Sequence, residues 1–187
     1  FIELRDTFRK IYPNFNIAYS YKTNYTPKFC KIVNELGGYA EVVSEMELEI
    51  ALRIGVKPNR IIWNGPIKNP QKLEEFLGAG GTDNIDSIEE FATVKDIAER
   101  HPAKTLNLGI RCNYEVGDGV VSRFGFDVDS KDFKQVLKFV TTTKNVHFIN
   151  FQCHFAKRQI EYWPARAKGM VELIDCLCIL PARIDIG

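Results

Sequence analysis

The stretches TLNLGIRC (105–112) and VHFINFQCH (146–154) decide how this chain folds. Both read as strands, in which successive side chains point to opposite faces. Asn107, Gly109 and Arg111 then share one face of the first, and Asn150, Gln152 and His154 share one face of the second. Polar groups in the middle of a sheet covered on both sides each need a partner and are costly. At the mouth of a (β/α)8 barrel such groups are expected, because active sites form there, at the carboxyl ends of the strands.

Working outward, strand and helix alternate with short connections. Residues 2–12 carry apolar positions at helical spacing, and Pro13-Asn14 breaks that helix. A strand over 16–21 leads to Lys22. A helix over 27–36 follows, with Thr26 as N-cap, Pro27 at its first position and Gly37-Gly38 as its stop. Strands are expected at 39–43, 60–63 and 82–85, and Ser44 with Glu47 and Ser87 with Glu90 fit capping boxes. Helices are expected over 44–54, 71–77, 87–100, 130–143 and 162–178, a Gly-rich loop over 113–123, and a last strand from Arg183 to Ile186. Such alternation implies parallel strands joined by helical crossovers, in a closed barrel or an open doubly wound sheet. The two polar rows favour the barrel. The expectation is an α/β chain forming a (β/α)8 TIM-type barrel with seven strands in view and the eighth past Gly187. Residues 1–187 would be a single domain, incomplete at both ends.

Composition narrows the function. Hydrophobic residues at 45% and charged residues at 26% belong to an ordered globular chain. A net charge of +1, with 25 basic and 24 acidic residues scattered and no basic stripe, argues against a nucleic-acid partner. No apolar run approaches the ~20 residues of a membrane span. The five cysteines, Cys30, Cys112, Cys153, Cys176 and Cys178, are odd in number and mostly sit in apolar runs. They read as small buried hydrophobes of a reducing compartment, and with His101, His147 and His154 they show no metal-ligand spacing.

Lys22 is the candidate reactive group. In YSYKTN (19–24), strand alternation puts it in a row with Ala18 and Ser20, with space in front and few neighbours to hydrate it. Desolvation depresses a lysine pKa, and a neutral amine is what a Schiff base requires. The plainer reading is a strand-end lysine pointing into water.

Taken in order, these stretches resemble the fold-type III pyridoxal-phosphate enzymes: the ornithine, diaminopimelate and arginine decarboxylases and their alanine racemase relatives. YSYKTN resembles the family segment whose lysine carries the cofactor, AEVVSEMELEIALRIG (40–55) its next strand and helix, and NGPIK (64–68) and NIDSIEEF (84–91) the two strand ends after that. LGIRCN (108–113), SRFGF (122–126), QCH (152–154) and IDIG (184–187) resemble the arginine strand, the S-K-F-G motif, the histidine strand and the start of the phosphate loop. The resemblance implies pyridoxal 5′-phosphate bound as an internal aldimine on Lys22, which would later transfer protons. It implies His154 against the pyridine ring and Arg111 hydrogen-bonded near the cofactor and Lys22. Otherwise His154 is a hydrogen-bonded core histidine, and Arg111 pairs with an inward carboxylate such as Glu41 or Asp185. Glu41 stands where relatives have aspartate, and Gly187 would begin the backbone N–H cradle for the phosphate.

Two positions depart from the pattern. After His154 the family's Gly-Ser is replaced by Phe155-Ala156-Lys157-Arg158, where Lys157 or Arg158 would be a phosphate ligand or a solvated charge pair. Arg123 matches racemases at a site where decarboxylases have lysine, whereas the strand at Arg111 lacks the racemase lysine and D-T-G. The implied activity is decarboxylation of a basic or dibasic amino acid, most like diaminopimelate decarboxylase. An amino-acid racemase and a non-catalytic pyridoxal-phosphate carrier or regulator are the alternatives. The family implies a cytoplasmic homodimer with a C-terminal β-domain, neither the proton donor nor the substrate-end carboxylates lying in these residues.

Overall fold

Helical crossovers force parallel pairing, and the registered strand pairs are parallel within each of two units, Phe1–Thr82 and Asp83–Gly187. The computed structural model describes residues 1–187 except Asp118, Val121 and Arg158.

In the first unit the elements are α1 (Ile2–Arg9), β1 (Ala18–Ser20), α2 (Pro27–Glu35), β2 (Tyr39–Val42), α3 (Glu45–Arg53), β3 (Ile61–Trp63) and α4 (Pro70–Gly78). The strands lie in the order β1-β2-β3, with Ser20 opposite Glu41 and Val42 opposite Trp63. Val42, Ala51, Ile61, Trp63 and Leu77 are buried, and the Trp63 ring meets Phe76 edge-on at 5.6 Å. Fully burying an aliphatic or aromatic side chain of this kind contributes about 1.5–3 kcal/mol. Gly65 of NGPIK is explained by contact, since a side chain there would collide with the Val43 carbonyl.

Three expectations need correction here. Helix α1 stops at Arg9 rather than residue 12, because the Arg9 guanidinium donates to Phe15 O (2.8 Å) and Asn16 Oδ1 (2.9 Å) and so ties down a turn. Thr26 occupies the N-cap of α2 but its side chain makes no capping bond; its own N–H donates to Asn24 Oδ1 (3.0 Å). The predicted capping boxes are half right. Ser44 Oγ accepts from Glu47 N, yet the Glu47 carboxylate accepts from Val43 N (2.7 Å), one residue further back than the box requires. The second pair repeats this shift. Glu90 N donates to Ser87 Oγ, and Glu90 Oε2 accepts from Asp86 N (2.9 Å).

The second unit continues β4 (Thr82–Ile85, its first residue in the first unit) with α5 (Ile88–Arg100), β5 (Leu106–Asn113), β6 (Phe126–Asp127), α6 (Lys131–Thr142), β7 (Val146–Gln152), α7 (Trp163–Leu177) and β8 (Arg183–Asp185). Its strand order is β4-β5-β7-β8, with β6 beside the end of β5. The short β6 was not expected; it pairs Phe126 with Cys112 just after the Gly-rich loop. A register shift between Leu108 and Gly109 sets Gly109 opposite Asn150, Arg111 opposite Gln152, and Gln152 opposite Asp185. The shift adds one residue to β7 and brings the Phe148 ring against Phe151 at 5.0 Å, which strict alternation would separate. Tyr114, following β5, ties the loop to α7: its hydroxyl donates to Arg166 O (2.7 Å) and its ring fills the place a Gly169 side chain would take. All five cysteines are free; Cys30, Cys112 and Cys153 are buried as expected, whereas Cys176 and Cys178 are exposed. The reason is the end of α7, where Cys178 closes the helix in the left-handed conformation (φ 53°). Among the described residues no helix is long and apolar enough to cross a membrane.

Of the described glycines in this unit Gly109 is the most closely surrounded, because a Cβ there would meet Asn84 Oδ1 and sit 2.8 Å from Asn150 O. Gly109→Ala is expected to destabilise the protein by about 1–3 kcal/mol in urea unfolding, the usual cost of overpacking. An unchanged midpoint would show that the polar face is loosely packed.

Candidate cofactor-binding site

Lys22 lies not on the strand but just beyond it. Strand β1 ends at Ser20, and residues Tyr21–Thr23 form a single 3-10 turn closed by Thr23 Oγ1 donating to Ser20 O (2.7 Å). The lysine is therefore exposed, contrary to the dry setting its predicted row implied. Tyr21 turns inward and is buried. Glu41, next to the turn through its register with Ser20, is buried at 8% exposure. A second carboxylate, Glu47, is buried at the start of α3. Burial pushes its carboxyl up, while the Val43 N–H and the positive charge of Lys22 pull it down.

In the second unit Arg111 forms a buried ion pair. Its Nη1 donates to Asp86 Oδ1 at 2.8 Å, with the two residues 7% and 6% exposed. The expected partners were Glu41 or Asp185; the observed one is Asp86, two residues past Asn84 where β4 meets α5. The signal for it was present in NIDSIEEF, where Asn84 and Asp86 share a parity. The Arg111 guanidinium also stands 4.9 Å from the centre of the Phe124 ring. Gly125 (φ +76°) lets the chain pass close to Arg111, because a Cβ there would lie 2.9 Å from Arg111 O and collide. The SRFGF segment is thus a clamp on Arg111.

His154 and Gly187 meet at the ends of β7 and β8. A Cβ on Gly187 would lie 2.8 Å from both His154 Nδ1 and Cys153 O, and Gly187 N donates to Asp185 Oδ1 (3.0 Å). His154 is half-buried, as is Lys157, while Arg158 lies outside the described residues. Burial pushes the Cys153 thiol up to about 11, the Tyr114 hydroxyl bond and the charges of Arg166 and Arg111 opposing this and Asp185 adding to it. Such a thiol is not a nucleophile at neutral pH. On the polar face, both side-chain atoms of Asn150 and Oε1 of Gln152 are buried without a hydrogen-bond partner in the protein. The structure thus brings Arg111 to Asp86, and His154 to Gly187, whose N–H is held by Asp185; Lys22 and Glu41 belong to the other unit.

The pyridoxal-dependent decarboxylase model for the pyridoxal binding domain matches residues 1–162. The chain belongs to this family. It is 26% identical to the diaminopimelate decarboxylase of Aquifex aeolicus, over 92% of this chain and 43% of that protein. It is 28% identical to that of Bacteroides thetaiotaomicron, over 98% and 52%. The crystal structure of diaminopimelate decarboxylase from M. jannaschii in complex with L-lysine superposes with a TM-score of 0.84 at 23% identity, covering 98% of this chain and 46% of that one. That likeness shows the decarboxylase α/β-barrel fold, and the chain spans about half the length of these relatives. The domain is therefore a pyridoxal-binding one. Its second unit fits such a cofactor: both side-chain atoms of Asn150 and Oε1 of Gln152 lie buried on the polar face with no hydrogen-bond partner in the protein, and the absence of a side chain at Gly187 leaves space beside the His154 imidazole.

Removing one partner of a buried ion pair leaves an uncompensated charge, at a cost of about 3–5 kcal/mol. Asp86→Ala should lose that much in urea unfolding, and Asp86→Ala with Arg111→Met much less than the sum of the single losses. Additive losses would mean that the pair is not coupled. Glu47 predicts a pH effect. Its raised carboxyl adds stability below the unfolded value and loses it as pH rises through the folded one. Relative to Glu47→Gln, whose side-chain oxygen still accepts from Val43 N, the natural protein should therefore lose stability as pH rises above the ordinary glutamate value of about 4. Parallel profiles for the two proteins would rule this out.

Proposed function

We propose that the protein is a pyridoxal-phosphate-dependent decarboxylase of a basic or dibasic amino acid, closest in kind to diaminopimelate decarboxylase. What carries the reading is the order of the motifs along a chain of this family, with a lysine at the end of its first strand. The names of the relatives support the substrate class.

When bound, the cofactor supplies an electron sink for the bond to the lost carboxylate. The chain's own groups do the rest. Lys22, exposed on its turn at the end of β1, would hold the cofactor and move protons at its Nζ. Arg111, fixed by Asp86 and the Phe124-Gly125 clamp, presents a cation whose position does not drift. His154 would bind the ring, and Glu41 and Asp185, each within its own unit, would set the charge near Lys22 and near Gly187. Gly187 would let the backbone approach the phosphate, its own N–H being held by Asp185 Oδ1. The family resemblance supports a cytoplasmic homodimer as the setting of this domain in the whole protein. Arg123 beside Phe124 keeps an amino-acid racemase as the second reading.

The test uses the whole protein with added pyridoxal phosphate. Borohydride should fix the cofactor to the natural protein and not to Lys22→Ala, as read by absorbance and mass. Carbon dioxide should be released from diaminopimelate, ornithine or arginine. Inversion of the α-carbon without gas release would assign a racemase, and cofactor binding with neither reaction would overturn the enzyme reading.

A further inference from the structure

Arg166, in the first turn of α7, is 2% exposed, and its Nε and Nη2 are buried with no hydrogen-bond partner in the protein. Among the described residues it has no ion pair. What surrounds the guanidinium is aromatic: its Cζ lies 5.6 Å from the centre of the Phe155 ring and 5.0 Å from that of Trp163. Ring faces offset part of the desolvation of a cation, but they accept none of its directional N–H bonds. A buried charge without a counter-ion is among the costlier things a fold contains.

The second observation is the helix itself. α7 has 15 residues, no acidic residue in its own first turn and no side-chain cap from Tyr162; the 3-10 turn Ile160–Tyr162 that leads into it carries Glu161. The positive end of its dipole lies at this corner without a side-chain cap. Side chains on a helix lean toward its N-terminus, so Arg166 and the dipole present positive charge at the same place. The corner adjoins the candidate site: the Tyr114 hydroxyl bonds both Arg166 O and the Cys153 sulfur (3.3 Å), and Cys153 O is in contact range of Gly187.

We propose that Arg166 is an anion-binding residue at the corner between β7 and α7, and that its ligand is the phosphate monoester of the cofactor. This rests on the cofactor reading given above. A phosphate dianion supplies the oxygens that Nε and Nη2 lack and a counter-charge for the buried guanidinium.

The experiment compares the natural protein with Arg166→Met and Arg166→Lys, each as the whole protein. Binding of pyridoxal phosphate and of pyridoxal is followed by absorbance, and thermal unfolding is followed with inorganic phosphate against chloride at constant ionic strength. Arg166→Met is expected to weaken pyridoxal phosphate about tenfold or more, the loss of a charge-assisted hydrogen bond. Pyridoxal, which has no phosphate, should change less than about twofold, and Arg166→Lys should restore part of the difference. Without ligand, Arg166→Met should melt at or above the natural protein, and phosphate should raise the melting temperature of the natural protein alone. Equal weakening of both ligands, or an unchanged response to phosphate, overturns the proposal while leaving the cofactor reading in place. Failure of the natural protein to bind pyridoxal phosphate at all overturns both.

Discussion

The ion pair between Asp86 and Arg111 is the constraint on which the second unit depends. Taking two charges out of water costs several kcal/mol each, and their attraction offsets this only where geometry is held. Everything around the pair holds it. Ser87 and Glu90 fix the backbone of Asp86 by local hydrogen bonds, so its carboxylate leaves β4 in one direction. Gly109 brings β5 close to Asn84 and Asn150 one step below. Phe124 covers the guanidinium and Gly125 admits the chain that carries it. A glycine and an arginine two residues apart on one strand are thus a single device: one lets the neighbouring polar side chains in, the other uses the space they enclose.

The first unit is ordered differently. Its strands are short and bury apolar side chains such as Val42, Ile61 and Trp63, and its polar groups of interest gather at strand ends. Lys22 on its 3-10 turn, Glu41 opposite Ser20, and Glu47 at the start of α3 are all placed by the terminus of an element. Position at an end is set by where a strand stops, and that is a matter of one or two residues.

This difference explains what could be read from sequence. The alternation of strands and helices and the polar rows of β5 and β7 were legible, because periodicity over several residues carries them. The order of motifs was legible too, and the match to the pyridoxal-dependent decarboxylase family bears it out. Lys22 was placed on the strand because nothing in YSYKTN shows where β1 gives way to a turn. Asp86 was missed as the partner of Arg111 because pairing across strands needs register, and register is a property of two segments. Strand β6 was missed because two residues have no period. The capping serines were visible, yet the one-residue shift in where Glu47 and Glu90 reach was not, since it depends on the bend between strand and helix.

Tyr114 joins parts of the second unit that the chain itself keeps far apart. Its hydroxyl is anchored on α7 and its ring occupies the hollow at Gly169, while its backbone starts the loop that ends in the Phe124 clamp. Helix and loop are therefore geared to each other. The start of α7 bears on Tyr114, the residue from which the chain leaves β5, so a substitution that enlarges Gly169 would press on the end of the strand that carries Arg111.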